Sequence, residues 1–142
     1  FEVKISVVVP AHNEEEVINR ALDAIKLQSC YIYEVIVVCN DCQDRTAVLA
    51  RTAGARVIVT AQRGVSMARN LGAKYAGGDV LLFVDADVTI SPGLAREISC
   101  NMSLRSTVVG TVRVIADCHR YTIHYAVAAW LIRTLRASQA GV

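Results

Sequence analysis

Two aspartates separated by one small residue, Asp85-Ala86-Asp87, follow an apolar run at residues 80–84. Such a run, partly β-branched, is typical of a strand buried on both faces of a sheet. The two-residue period of a strand would send both carboxylates in one direction, which at the end of a parallel sheet can lead into a ligand crevice. Two carboxylates beside an alanine suit Mg²⁺ or Mn²⁺ carrying a diphosphate. The alternative is that one aspartate caps the next helix and the other is solvated.

The first predicted strand also runs into polar residues, in the segment Pro10-Ala11-His12-Asn13-Glu14-Glu15-Glu16. Asn13 followed three residues later by Glu16 predicts a helix N-cap with a capping box. Three acidic residues in a first helical turn disfavour a phosphate at that helix N-terminus. His12 and Glu14 lie where a crevice of the sheet would open, so they are candidates to receive a base or a ribose. Capping alone would also explain the segment.

Two further junctions follow the same pattern. The second predicted strand ends in Asn40, whose amide offers the donor and the acceptor needed to read a pyrimidine edge, and Asp44 is predicted to cap the next helix. The third junction carries Arg63 and Arg69 around a predicted helix start. Two arginines near one crevice could bind phosphate, and Gly64 between them permits close backbone approach. Surface arginines are more commonly only solvated.

Strands and helices alternate along the 142 residues, which is most simply the length of one domain. The predicted strands are residues 4–9, 34–39, 56–60, 80–84 and 108–114. The predicted helices are residues 14–27, 45–53, 65–76, 92–102 and 121–136. Alternation with short connections predicts a three-layer α/β/α domain, an α/β fold with a mostly parallel sheet.

Composition excludes some classes of function. A formal net charge of +2 without a run of Lys and Arg argues against a nucleic-acid partner, and no uninterrupted apolar stretch is long enough to span a bilayer. Five cysteines, an odd number, and no signal-peptide pattern predict reduced thiols in the cytoplasm. The Cys39-x-x-Cys42 pair lacks a second pair for a zinc set, so packing at the strand end is favoured over metal or redox use.

Four segments together resemble the nucleotide-sugar half of the family 2 glycosyltransferases, which have the GT-A fold. They are residues 7–15, 34–46, 68–73 and 84–87, and they occur in the family's order and spacing. The resemblance implies metal-dependent transfer of a sugar, with inversion, from a UDP- or GDP-sugar to an acceptor hydroxyl. The nucleotide-sugar site would comprise Pro10, Ala11, His12, Glu14, Asn40, Arg63, Arg69, Asp85 and Ala86. Asp87 would ligate Mn²⁺ or Mg²⁺, and Asp85 would meet the ribose, the metal or metal-bound water.

The chain departs from the family pattern in two places. The second strand of the family commonly ends in Asp-Asp-Gly-Ser, where this chain has Cys39, Asn40, Asp41 and Cys42. The family's general base normally lies well beyond the metal motif, and we assign no residue to that role. We therefore expect residues 1–142 to form a single donor-binding domain that is incomplete on its acceptor side. A nucleotidyltransferase and a non-catalytic nucleotide-sugar-binding module remain as alternatives, although the former usually has a glycine-rich phosphate loop.

The C-terminal third is less informative. Residues 121–136 are predicted as a core helix, and the alternative is an interfacial helix that contacts anionic lipid at the cytoplasmic membrane face. Arg113, in the last predicted strand, is either solvated or within reach of a diphosphate. The acceptor stays open between a lipid-linked molecule and a polysaccharide.

Overall fold

The computed structural model describes residues 3–102, 109–111 and 129–132. These residues form six strands and four α-helices. The strands are β1 (Ile5–Ala11), β2 (Ile32–Asn40), β3 (Arg56–Thr60), β4 (Val80–Phe83), β5 (Val109–Thr111) and β6 (Ala129–Ile132). The helices are α1 (Ile18–Lys26), α2 (Thr46–Thr52), α3 (Val65–Tyr75) and α4 (Leu94–Met102), and a short 3₁₀ turn covers Ser29–Tyr31.

The six strands form one sheet in the order β3-β2-β1-β4-β6-β5. Strands β3, β2, β1 and β4 are parallel, whereas β6 is antiparallel to both β4 and β5. The chain leaves β1 on one side for β2 and β3, then returns to its other side as β4. In such sheets the crevice for a ligand lies beyond the carboxyl ends of the strands, at the point where the order reverses. We call this side of the sheet the carboxyl edge, and the opposite side the amino edge.

The helices lie on both faces of the sheet. Val7 and Val9 of β1 are buried in one cluster with residues of α1, α2 and α4, while Val8 is buried in a second cluster with Ala68 of α3. Gly72 brings α3 close to the sheet, because a Cβ at that position would overlap the side chain of Val8. The predicted three-layer α/β/α arrangement with a mostly parallel sheet is therefore confirmed.

The start of the first helix was predicted wrongly. Helix α1 begins at Ile18, and no side chain caps its N-terminus. Asn13 instead adopts a left-handed conformation (φ 55°), and its carboxamide oxygen accepts a hydrogen bond from the backbone of Gln43 at 2.8 Å. The capping box of Asn13 and Glu16 does not form, because a contact thirty residues away in the chain takes the asparagine side chain.

The helix predicted at residues 121–136 is also wrong where the structure describes it, since Ala129–Ile132 is strand β6. Pairing with β4 satisfies the backbone of this short apolar segment and overrides its helical pattern. Strand β5 lies within the predicted strand at residues 108–114, but Arg113 falls outside the described residues. Within the described part of the chain, no helix has the length and apolar character that crossing a bilayer requires.

Candidate functional site

The two aspartates of the opening motif lie just beyond β4, at the carboxyl edge. The strand ends at Phe83, and the backbone N–H of Val88 donates to the carbonyl of Asp85 at 3.0 Å, which closes a turn. Asp85 is half-buried and Asp87 is exposed. The two carboxylates therefore lie in a turn beyond the strand, with the buried Ala86 between them, and strand alternation does not set their directions.

Asp85 forms an ion pair with Arg69 of α3. The guanidinium Nη2 lies 2.6 Å from Oδ1 of Asp85, and both side chains are about one-third exposed, at 30% and 28%. The Nε atom of Arg69 is buried and has no hydrogen-bond partner among the described residues. Arg69 therefore holds one oxygen of Asp85 in place and keeps an unused donor at the site.

Asn40 ends β2 on the same edge of the sheet. Its side chain is buried (3% exposed), and its Oδ1 atom has no partner within the described part of the chain. A buried acceptor without a partner costs about 1–3 kcal/mol. This oxygen is therefore available to a donor group from a ligand or from water.

A network of hydrogen bonds joins the end of β1 and the loop after it to the end of β2 and the start of α2. It links His12 Nδ1 to the Asn40 carbonyl (2.7 Å), Gln43 N–H to Asn13 Oδ1 (2.8 Å), Glu14 N–H to Thr46 Oγ1 (2.8 Å) and Glu15 N–H to Asp44 Oδ2 (3.0 Å). The two loops thus form one continuous wall of the crevice. Because a carbonyl only accepts, Nδ1 of His12 must carry a hydrogen, which leaves Nε2 of the neutral ring as an acceptor.

Asp44 stabilises both this wall and the start of α2. Its Oδ1 atom accepts from the backbone N–H of Thr46 at 3.0 Å and from the hydroxyl of Thr46 at 2.5 Å. Burial raises the pKa of the Asp44 carboxyl, but the hydrogen bonds from Thr46 and Glu15 outweigh burial and hold the pKa below its usual value. Arg45 is the residue that flanks α2, and its side chain forms no cap hydrogen bond. The Asp44 carboxylate caps the helix instead, by accepting from the first residue of α2, so the predicted capping role of Asp44 is confirmed.

Arg63 is exposed and paired with Asp41. Its Nε atom lies 2.5 Å from Oδ2 of Asp41, and this hydrogen bond lowers the pKa of the Asp41 carboxyl. Asp41 was missed as a site residue. Its φ of 56° lies in the left-handed region, and it aligns with the glycine of the family's Asp-Asp-Gly-Ser. The glycine in the family's pattern could have identified this position, because a glycine there indicates a left-handed turn beside the crevice.

The other predicted site residues divide into two groups. His12 is exposed and Glu14 is half-buried, and both lie in the wall of the crevice. Pro10 is buried in β1, whereas Ala11 and Ala86 pack into the hydrophobic cluster under α1. The two alanine side chains therefore belong to the core, and only their backbone can face a ligand.

The carboxylates fit a cation that arrives with a ligand. Among the described residues no three His, Cys, Asp or Glu side chains cluster as a metal cage. Asp87 is exposed, and one oxygen of Asp85 is not used by Arg69. Mg²⁺ is commonly bound by one or two carboxylates together with substrate phosphates and water, and Mn²⁺ takes the same ligand types. The donor set therefore suits either ion bound with a diphosphate.

Comparisons with known proteins identify the family and the fold of this chain. The family model described as Glycosyl transferase family 2 matches residues 6–139. The 4,4'-diaponeurosporenoate glycosyltransferase of Staphylococcus haemolyticus is 43% identical over 94 residues, which are 61% of this chain and 25% of that protein. The dolichol-phosphate mannosyltransferase of Pyrococcus furiosus is 35% identical over 97 residues, which are 63% of this chain and 27% of that protein. The chain thus spans about a quarter of the length of these relatives.

Solved structures show the same fold. TarS of S. aureus in complex with UDP superposes with a TM-score of 0.73 at 25% identity, covering 85% of this chain and 38% of that one. Glucosyl-3-phosphoglycerate synthase of Mycobacterium tuberculosis, in complex with Mn²⁺, UDP and glucosyl-3-phosphoglycerate, gives a TM-score of 0.53 at 32% identity, covering 64% and 36%. The chain belongs to glycosyltransferase family 2 and has the GT-A fold.

Proposed function

We propose that this chain binds the nucleotide-diphosphate-sugar donor of a glycosyltransferase that transfers the sugar to an acceptor hydroxyl. One observation carries the proposal. The candidate binding groups lie at the carboxyl ends of three adjacent parallel strands. Asn40 ends β2, the wall with His12 follows β1, and Asp85 and Asp87 follow β4, where Asp85 pairs with Arg69. The UDP and Mn²⁺ present in complexes of related structures support this interpretation.

In this proposal the wall of the crevice receives the nucleoside. The unpartnered Oδ1 of Asn40 accepts a hydrogen bond from a base N–H, which uracil and guanine both offer. His12 and Glu14 contact the base or the ribose from the loop after β1. Since a network of hydrogen bonds fixes this loop before any ligand binds, little conformational freedom is lost when the nucleoside enters.

The opposite side of the crevice receives the diphosphate. Asp87 would hold Mg²⁺ or Mn²⁺, and Asp85 would contact the ribose, the metal or metal-bound water. When bound, the ion would offset negative charge on the departing diphosphate. Arg69 positions Asp85 through its ion pair. From the wall side of the crevice, the exposed guanidinium of Arg63 can exchange Asp41 for a phosphate oxygen, since both are anionic acceptors for the same donor.

Sugar transfer in this proposal is an in-line displacement with inversion. The acceptor oxygen forms a bond to the anomeric carbon while the bond from that carbon to the diphosphate oxygen breaks, and the hydroxyl proton passes to a general base. The residues of this chain contribute orientation of the donor and electrostatic stabilisation of the leaving group. No residue that the structure describes is assigned as the general base.

For the acceptor, we infer a lipid-linked molecule. The names of two relatives, a dolichol-phosphate mannosyltransferase and a 4,4'-diaponeurosporenoate glycosyltransferase, support this class. Donor consumption by the whole protein with a polyprenyl phosphate, and separately with a soluble oligosaccharide, distinguishes a lipid-linked acceptor from a polysaccharide. Consumption with the oligosaccharide alone would contradict the lipid assignment.

Titration calorimetry with UDP and GDP, in Mn²⁺ and then in EDTA, tests donor binding directly. We expect one of the two nucleotides to bind in Mn²⁺ and to bind much more weakly in EDTA. Asn40→Ala should weaken binding by roughly tenfold, because the base loses its buried acceptor. Asn19→Ala, at an exposed position of α1, is the matched control and should bind normally. Failure of every nucleoside diphosphate to bind would refute the proposed function.

A further inference from the structure

The proposed function leaves two thiols at the crevice without a role. Cys39, in β2, is fully buried, and Cys42 is half-buried three residues later, beyond the left-handed turn at Asp41. Both thiols are free, and Cys42 packs against the buried cluster that contains Cys39. The Cys42 thiol also bonds to the carbonyl of Ala11, the residue that pairs with Cys39 in the sheet. Two free thiols that pack in one cluster on either side of a short turn are placed for closure into a disulfide.

The Cys42 thiol also joins the two loops of the crevice wall. Its S–H donates to the carbonyl of Ala11 at 3.4 Å, and its sulfur accepts from the backbone N–H of Asn13 at 3.5 Å. Both partners lie beside His12, at the end of β1. A chemical change at Cys42 would therefore reach the loop that carries His12 and Glu14.

We propose that Cys39 and Cys42 form a thiol–disulfide exchange site that reacts with a small-molecule disulfide, and that the resulting protein disulfide weakens nucleotide binding. The more exposed Cys42 reacts first: its thiolate attacks one sulfur of the small disulfide, and the other sulfur leaves as a thiolate that takes up a proton. Cys39 then loses its proton to solvent and attacks the Cys42 sulfur, which releases the second small thiol. Two protein thiols are oxidised, and one small disulfide is reduced to two thiols.

The disulfide changes the crevice because its sulfur atoms carry no hydrogen. The carbonyl of Ala11 loses its donor, and the sulfur that accepted from Asn13 turns towards Cys39. The loop that holds His12 is then less firmly attached to the loop after β2. This second half of the inference rests on the proposed function, whereas disulfide formation itself does not.

The rate at which the disulfide closes should depend steeply on pH. Burial, followed by the charge and hydrogen bond of the neighbouring Cys42, raises the pKa of the Cys39 thiol to about 12. The reactive thiolate is therefore scarce at neutral pH, and the second step should accelerate by about tenfold per pH unit across the neutral range.

The test uses a variant with Cys30→Ser, Cys100→Ser and Cys118→Ser, so that only Cys39 and Cys42 remain as thiols. It is treated with bis(2-hydroxyethyl) disulfide, and its intact mass and its UDP affinity in Mn²⁺ are measured before treatment, after treatment and after re-reduction. We expect the mass to fall by two hydrogens and the affinity to fall by roughly tenfold, both reversibly. Adding Cys39→Ser should stop the reaction at the mixed disulfide, and adding Cys42→Ser should abolish it.

Unreacted thiols, or a mixed disulfide that never closes, would overturn the exchange site. A closed disulfide with unchanged UDP affinity would overturn its coupling to the crevice. If the reduced variant binds no nucleotide at all, the proposed function fails, and the mass measurement still decides the thiol chemistry.

Discussion

The two edges of the sheet differ in whether their polar groups have hydrogen-bond partners within the described part of the chain. At the amino edge, the Ser6 hydroxyl donates to Glu34 at 2.8 Å and accepts from the backbone of Gly78 at 2.9 Å, while Gly77 donates to Glu34 at 2.6 Å. Asp79 accepts from the backbone of Lys4 at 3.0 Å. These groups satisfy one another, so this edge serves the stability of the fold.

The carboxyl edge contains buried polar groups that have no hydrogen-bond partner among the described residues. The two buried side-chain atoms without partners among the described residues, Asn40 Oδ1 and Arg69 Nε, both lie there. Asn13 and Asp41, which adopt left-handed conformations uncommon for residues other than glycine, lie there too. A folded chain retains unsatisfied groups and strained backbone chiefly where they serve function. The contrast between the edges is itself an argument for a ligand at the carboxyl edge.

The largest effect should come from a carboxylate at the carboxyl edge. Asp87→Asn should abolish metal-dependent nucleotide binding and leave the unfolding midpoint unchanged, because an exposed carboxylate contributes little to stability. Asp85→Asn should weaken binding less completely, since Asp85 is also engaged by Arg69. Calorimetry with UDP and Mn²⁺, beside thermal unfolding, measures both.

Asp79→Asn is the matched control for this experiment, because Asp79 is an exposed carboxylate at the amino edge. It should bind nucleotide normally. Normal binding by Asp87→Asn, or equal losses in the Asp79 and Asp87 variants, would remove the functional distinction between the edges.

The largest loss of stability should come from the amino edge. A Cβ at Gly78 would lie 2.6 Å from the Ser6 hydroxyl and 2.7 Å from the carbonyl of Lys4, so backbone must move. Gly78→Ala should lower the free energy of unfolding by about 2 kcal/mol. At Gly77 the nearest atom is 3.3 Å away on the exposed ring of Tyr33, which can shift, so Gly77→Ala should cost less. Urea unfolding of both variants checks this order, and equal losses would contradict it.

A smaller loss should come from the wall of the crevice. Asp44→Ala should lower the free energy of unfolding by about 1 kcal/mol at pH 7, through the lost bonds at the start of α2. Because folding lowers the pKa of Asp44, this stabilisation is present above the unfolded-state pKa of about 4 and is lost as the pH falls through the lower folded-state value.

Urea unfolding at several pH values should therefore show wild type and Asp44→Ala converging in acid. Asp23→Ala, at an exposed position of α1, is the control and should change stability by less than about 0.5 kcal/mol at every pH. A difference for Asp44→Ala that stays constant down to the lowest pH would show that its ionisation is not involved.

The smallest effect should come from an aromatic ring at the amino edge. Tyr75 lies 5.7 Å from the Arg56 guanidinium and 5.9 Å from the Lys74 ammonium. Tyr75→Leu should cost about 0.5–1 kcal/mol of stability, as expected for exposed cation–π contacts. Nucleotide affinity should not change, and a loss of affinity would mean that the two edges are coupled.

Local patterns predicted the layers and the edge where the polar residues meet. Each parallel strand is an apolar run that ends in polar residues, so the positions of Asn40 and Asp85 follow from strand direction alone. The predictions that were wrong concern segments whose structure depends on contacts with residues far away in the chain. Asn13 has the local pattern of a cap, yet it bonds to Gln43. Residues 129–132 have the pattern of a helix, yet they pair with β4.

The central position of β1 has a consequence for the order of folding. Ile5 pairs with Ile32 on one side and with Val80 on the other, so the second pairing joins residues 75 positions apart in the chain. Contacts between such distant residues form late, because a long loop must close first. During synthesis the first strand leaves the ribosome well before β4, and until then one of its edges has no partner. The aspartates beyond β4 emerge later still, so the crevice cannot be completed before β4 has joined the sheet.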